Sequence, residues 1–358
     1  MDHIVTSDIN GTSSTNSTRA FPQLVGYRWT SLNIFGLLVI IIGAILNFSL
    51  LAVFIKRRSL RNSFGVYLIN LLLLETVLLW VRGIINLVYA YLGNWPFGYS
   101  FCLFVTYVGY AYETLIILAH FLIALNRVWA VTFPFCYRTR HSVKFTIVLC
   151  SSVFILMHLA YIPVSISTVV VIPGSVMYSY SCDVDTTNVL YVVSELGLFL
   201  TPMILGLSSY PYVCYKSFFS DRKARIAPHT QSVAAHGHYE LTHPSATVGT
   251  MNDQGTGAPK DKLRVCGREL RGSVTGFVTL TLMTLSVAVC LVPKESLFTY
   301  LIWSSAEPPG LMAVFNVLQR LITVFDPILI AVGNTEIRTM LRKRFLSKGG
   351  WLSPVSRC

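Results

Sequence analysis

Arg82, Glu113, Glu195, Lys294, Glu295 and Arg320 each interrupt a long apolar run, and so do Asn47, Glu75 and Asp326. A charge taken out of water is costly unless it is paired or faces a polar cavity, so side chains of this kind are committed to one another or to a ligand. The first six comprise three acids and three bases. They can neutralise one another as structural ion pairs, or they can line a pocket open to a polar ligand. The other three combine an amide with two carboxyls, a set suited to holding a sodium ion or a proton. A protonated Glu75 hydrogen-bonded to Asn47 is the equal alternative, because a carboxyl in an apolar surround tends toward its neutral form. Signatures of catalysis are absent: there is no His-Glu-x-x-His, no Gly-x-Ser-x-Gly and no pair of metal ligands within the apolar runs, so neither an enzyme nor a metal centre is expected.

The elements that must position these residues follow from composition. Of 358 residues, 53% are hydrophobic and 12% charged, about half the charge of a soluble domain. Seven apolar runs, at 33–55, 64–90, 100–131, 144–171, 189–219, 271–303 and 310–332, are each long enough for a helix to cross a hydrocarbon core of about 30 Å. The expected fold class is an all-α membrane protein, a seven-transmembrane helix bundle. A short amphipathic helix should follow at 335–346, with Ile337, Met340, Leu341 and Phe345 on one face and basic residues on the other. No cleavable leader precedes the first run, which is expected to act as its own insertion signal.

Topology is legible in the basic residues. All but Arg19, Arg28, Arg82, Lys294 and Arg320 of the 28 Lys and Arg fall in alternate connections and the tail, which marks those as cytoplasmic and the N-terminus as extracellular. The net charge of +12 therefore borders spans and faces anionic membrane lipids; it does not form a nucleic-acid-binding domain. Three units are expected: an extracellular tail over 1–30 with glycosylation acceptors at Asn10 and Asn16, a membrane domain over 31–346, and a cytoplasmic tail over 347–358. Within the membrane domain, 220–265 is expected to be a flexible cytoplasmic loop, and its His229, His236, His238 and His243 lack a scaffold that would hold a metal. This topology exposes only Cys102 and Cys182 to the oxidising exterior, so they should form a disulfide between the outer end of the third run and the loop after the fourth.

Several motifs sit on these runs at fixed mutual spacings. Trp95-Pro96-Phe97-Gly98 precedes Cys102; Asn126-Arg127-Val128 ends the third run, with Pro134 seven residues beyond Arg127. Pro202 and Tyr210 lie on the fifth, Cys290-Leu291-Val292-Pro293 on the sixth, and Asp326-Pro327-Ile328-Leu329-Ile330 on the seventh. Over roughly residues 30 to 346 this pattern resembles the rhodopsin-like (class A) G-protein-coupled receptors, as a divergent orphan expected from an invertebrate. Each proline deletes a backbone hydrogen bond and bends its helix, giving a compliant point about which the inner half can swing.

The resemblance implies a receptor in the plasma membrane that binds an unidentified extracellular small-molecule or peptide ligand and activates a heterotrimeric G protein through movement of helices five to seven. It implies a ligand pocket among Arg82, Gly109, Glu113, Glu195, Lys294, Glu295 and Arg320. Gly109 stands where amine receptors have Asp, and Arg320 where opsins have the retinal lysine, which disfavours both ligands. Asn126, Arg127, Pro134, Pro202, Tyr210, Pro293 and Pro327 carry over as the coupling and activation residues, and Asn47, Glu75 and Asp326 as the ion or proton cluster. Asn126 replaces the acid that normally restrains the adjacent arginine. A seven-helix transporter or light-driven pump is the competing reading; run 310–332 lacks the lysine a retinal pump needs, and no inverted repeat is visible.

Overall fold

The computed structural model describes residues 30–92, 95–173, 180–185, 188–226, 281–304 and 311–348. Seven helices cross the membrane: Ser31–Lys56, Ser63–Tyr89, Gly98–Thr132, Val143–Thr168, Val189–Lys216, Thr281–Leu301 and Val314–Gly333. The first, of 26 residues, rises about 39 Å at 1.5 Å per residue, enough to span with its ends in the headgroups. Asn10, Asn16, the loop histidines and the tail beyond 348 lie outside the described residues.

Helix starts are set by short polar side chains that satisfy the first free N–H groups. Thr30 Oγ1 accepts from Asn33 N at 3.2 Å, Asn62 Oδ1 from Gly65 N at 2.8 Å, and Ser142 Oγ from Phe145 N at 3.2 Å. Asn334 Oδ1 accepts from both Glu336 N and Ile337 N. It thereby opens the helix Thr335–Lys348, whose Ile337 is buried while Met340 packs partly against the core.

Two wide π turns interrupt the bundle, at Leu79–Gly83 in the second helix and Glu195–Leu200 in the fifth. The latter ends just before Pro202, which has no N–H to give the preceding turn. The sixth helix breaks at Leu291, two residues before Pro293, and the seventh turns at Leu321. In the seventh, Pro327 leaves the carbonyl of Thr323 without its i+4 donor, and Asn47 Nδ2 supplies one across the bundle at 2.8 Å.

The fourth helix stops at Thr168, short of the expected 171. Val169–Pro173 instead pairs antiparallel with Tyr180–Val184, with Val171 opposite Cys182. A β-branched run forms this hairpin outside the spans, the one departure from an otherwise all-α architecture among the described residues. Cys182 is joined to Cys102 by a disulfide, so the hairpin is fastened to the third helix. Beneath it Trp95 is buried against Cys102, Val105 and Val169, and its Nε1 donates to Gly98 O at 2.9 Å. Gly98 has φ of +73°, a conformation that favours glycine and lets the chain turn sharply into the third helix.

The third helix is the axis of the bundle, packing on the second, fourth and fifth helices, while the first packs on the second and seventh. The core joins Leu68, Leu71 and Leu72 of the second helix to Leu115, Ile116 and Ile123 of the third and Ile330 of the seventh. Apolar residues such as Leu38, Ile45, Ile155 and Leu159 point outward and are exposed. Glu75, Asp326, Lys294 and Glu295 are buried. This inverts the arrangement of a water-soluble protein and fits a chain whose outer solvent is lipid.

Candidate functional site

A cleft in the outer half of the bundle holds about 690 Å³ of space, its mouth included. Arg82, Asn86, Glu113, Asn316, Gln319 and Arg320 form its polar wall, and Leu78, Leu79, Ile116, Leu291 and Ile322 its apolar wall. Glu113 is the hub. Its Oε1 stands 2.6 Å from Arg82 Nη1, and its Oε2 accepts from Lys294 Nζ at 3.1 Å. Lys294 also donates to Gln319 Oε1 at 2.7 Å, so the second, third, sixth and seventh helices meet at one carboxylate. Arg82 sits in the first π turn and lies across the third helix at Gly109, one turn above Glu113. A Cβ at Gly109 would fall 2.5 Å from Arg82 Nη1, so only glycine lets this guanidinium pass. The same guanidinium lies 5.5 Å from the Tyr110 ring centroid.

Arg320 lines the cleft beside the first helix, where a Cβ on Gly36 would come within 3.2 Å of its Nη1. Among the described residues it has no carboxylate partner. Glu195 and Glu295 do not line the cleft. They are buried facing each other between the fifth and sixth helices, behind Lys294. Of the expected pocket residues, Arg82, Glu113 and Arg320 line the cleft; Lys294 and Gly109 stand behind it, against Glu113 and Arg82 respectively, and Glu195 and Glu295 are held back from it.

A second polar cluster lies deeper. Asn47 spends both amide hydrogens, on Gly43 O at 2.9 Å and on Thr323 O, which leaves its Oδ1 without a donor. Both oxygens of Glu75 are likewise without one, although Asn47 and Asp326 lie alongside. Asp326 Oδ1 accepts from Ser286 Oγ at 2.9 Å, and its Oδ2 stands 2.9 Å from His120 Nε2. Sequence reasoning expects Asn47, Glu75 and Asp326 but misses His120 and expects no metal ligands inside the spans. The fold puts ligand atoms of Glu75, His120 and Asp326 all within 4.8 Å of one another. The available signal was an imidazole within a helix-forming apolar run, seven residues before Arg127. Gln319 escapes for a similar reason: it is polar but uncharged, and only the fold shows what it faces.

At the inner end Asn126 is buried with neither amide atom partnered. The Arg127 guanidinium carbon lies 3.7 Å from the Phe64 ring centroid, so a cation–π contact occupies the place of an acid. Pro134 opens the short helix Pro134–Arg140, and Tyr210 packs beside Ala124 and Val213.

Seven apolar helices thus surround an outer polar cleft, with Arg127 at the inner end of the third. Residues 46–329 match the 7 transmembrane receptor (rhodopsin family) profile, and the chain belongs to that family. Over 159 residues it is 30% identical to a Y-type purinoceptor, subtype 4, of Xenopus laevis, an alignment covering 43% of this chain and 28% of that protein. Family membership makes the chain a multi-pass membrane receptor and disfavours the transporter reading.

Proposed function

We propose that this receptor sits in the plasma membrane with its N-terminus outside, binds an anionic small molecule in the outer cleft, and activates a heterotrimeric G protein at its inner face by movement of helices five to seven. The observation that carries the ligand class is the charge balance of the cleft. Arg82 and Lys294 share one carboxylate, Glu113, while Arg320 has none among the described residues. A half-buried guanidinium with no carboxylate in direct ion-pair contact is matched by a ligand that brings one, and a phosphate or carboxylate meets its planar fork in two hydrogen bonds. The purinoceptor relative, named for purines, makes purine compounds the first to test. Phosphorylated purines satisfy both criteria.

The test is a second-messenger assay in transfected cells, using purine nucleosides and their mono-, di- and triphosphates. The phosphorylated members should activate and the nucleosides should not. Arg320→Gln, delivered equally to the surface, should move the dose response by about tenfold or more, since a charge-assisted hydrogen bond contributes roughly 1.5–3 kcal/mol. Nucleosides matching their phosphates, or an unmoved response in Arg320→Gln, would reject the anionic reading.

A further inference from the structure

The cluster of Glu75, His120 and Asp326 lies apart from the ligand cleft, and nothing in the anionic-ligand reading uses it. We propose that these three side chains bind a divalent transition-metal ion of the zinc type in the core of the membrane domain, with Asn47 Oδ1 available as a further oxygen ligand.

Four observations converge. Glu75 and Asp326 have no exposed surface and His120 is 8% exposed, so no bulk water reaches the ligand atoms. Glu75 Oε1 and Oε2, His120 Nε2, Asp326 Oδ2 and Asn47 Oδ1 are all without a hydrogen-bond partner among the described residues. Such a concentration of unsatisfied polar atoms is rare in a folded interior. His120 Nε2 and Asp326 Oδ2 face each other at 2.9 Å without the alignment of a hydrogen bond, as two ligands directed at a common third atom would. The three ligand atoms lie within 4.8 Å of one another, and a tetrahedral zinc ion with bonds of about 2.0–2.2 Å holds its ligands roughly 3.3 Å apart, within reach of small side-chain rotations.

Charge and donor type select the ion. No Lys or Arg among the described residues is ion-paired with either carboxylate, so with His120 neutral, as a metal ligand must be, two ionised carboxylates would leave two uncompensated charges in a low dielectric. A divalent ion cancels both. The oxygen-only trio of Asn47, Glu75 and Asp326 suits sodium or a proton, but an imidazole nitrogen is a poor ligand for a hard alkali cation and a good one for zinc, copper or nickel. Ser286 Oγ, donating to Asp326 Oδ1, turns the other oxygen toward His120, the outer-shell orientation that metal-bound carboxylates commonly show. The ligands come from the second, third and seventh helices, so an ion would tie together elements that receptor activation must move relative to one another.

The experiment uses the full-length receptor in lipid nanodiscs, with His229, His236, His238 and His243 replaced by Gln to remove background binding, stripped with a chelator and then titrated. Cobalt(II) should bind one ion per chain with the visible absorption of a nitrogen- and oxygen-ligated site. Zinc should displace it and raise the unfolding temperature by several degrees at micromolar concentration. His120→Gln should lose the absorption and the zinc shift while keeping any response to sodium. The proposal fails if cobalt gives no such absorption in the protein that retains His120, a readout that does not depend on the variant folding. It fails equally if zinc binds His120→Gln undiminished, or if sodium alone produces the stabilisation in both proteins.

Discussion

A residue with no side chain decides how the ligand cleft is assembled. Gly109 is the surface over which Arg82 crosses the third helix to reach Glu113, because a methyl group there would collide with Arg82 Nη1 at 2.5 Å and with Cζ at 2.6 Å. Gly109→Ala should therefore cost little as a helix substitution, where alanine is the better former, and still displace the arginine from its carboxylate. We expect a surface-delivered receptor whose agonist potency falls about tenfold or more, the loss of one charge-assisted contact. Unchanged potency would mean that Arg82 does not act from this seat. Arg82, Glu113 and Lys294 are legible as a group from the sequence, because charges in apolar runs of one depth must find each other. Their pairing is not, since spacing along a chain carries no information about rotation between separate helices. Gln319, Ser286 and His120 escape for a different reason: uncharged polar groups are tolerated in spans for many purposes, and only proximity gives them a role.

At the scale of the helix, the prolines are readable and the π turns are not. Pro202, Pro293 and Pro327 announce lost hydrogen bonds wherever they stand, whereas the wide turn at Leu79–Gly83 contains no proline and follows no local rule. Hydropathy alone extends the fourth helix into the hairpin, because it is blind to side-chain shape. Thr168-Val169-Val170-Val171-Ile172 is apolar enough to span, yet every member is β-branched, and with the membrane boundary reached the run takes the strand its side chains prefer. The inner end of the third helix offers the sharpest test of an element's sequence. Asn126 is buried and unpartnered, and Arg127 rests on Phe64 in place of an acid. Asn126→Asp would place a carboxylate beside the arginine and favour the packing that holds it. Receptor activity is a shift between pre-existing packings, and a restraint of roughly 1.5–3 kcal/mol present in only one of them moves the populations by about tenfold or more. Ligand-free signalling should therefore be measurable in the parent and lower in Asn126→Asp at matched surface expression. Equal basal signals in the two would show that Phe64 and its neighbours already hold the resting state.

Across the whole molecule, seven spans, their approximate limits and the Cys102–Cys182 link follow from hydropathy, basic-residue placement and cysteine arithmetic, because lipid imposes those terms on every segment alike. What lipid does not dictate is which helices are joined to which, and there the contact between Asn47 and the Thr323 carbonyl is informative. A kink normally leaves a helix free to bend at the missing hydrogen bond. Here the vacancy opened by Pro327 is filled from the first helix, so the seventh helix is pinned from outside at the very place where it would flex. Asn47→Leu should leave that buried carbonyl without a donor and lower stability by about 1–3 kcal/mol, read as an earlier unfolding transition in nanodiscs. A transition at the parent temperature would show that the carbonyl finds another donor. The pin also divides the molecule mechanically. At Thr323 the seventh helix is fastened to the first; below it, Asp326 is held by Ser286 of the sixth helix and Ile330 packs into the core with the second and third. The first helix, which lines little of the cleft, would then serve as the fulcrum, fixing how far up the bundle an inward signal can bend the seventh.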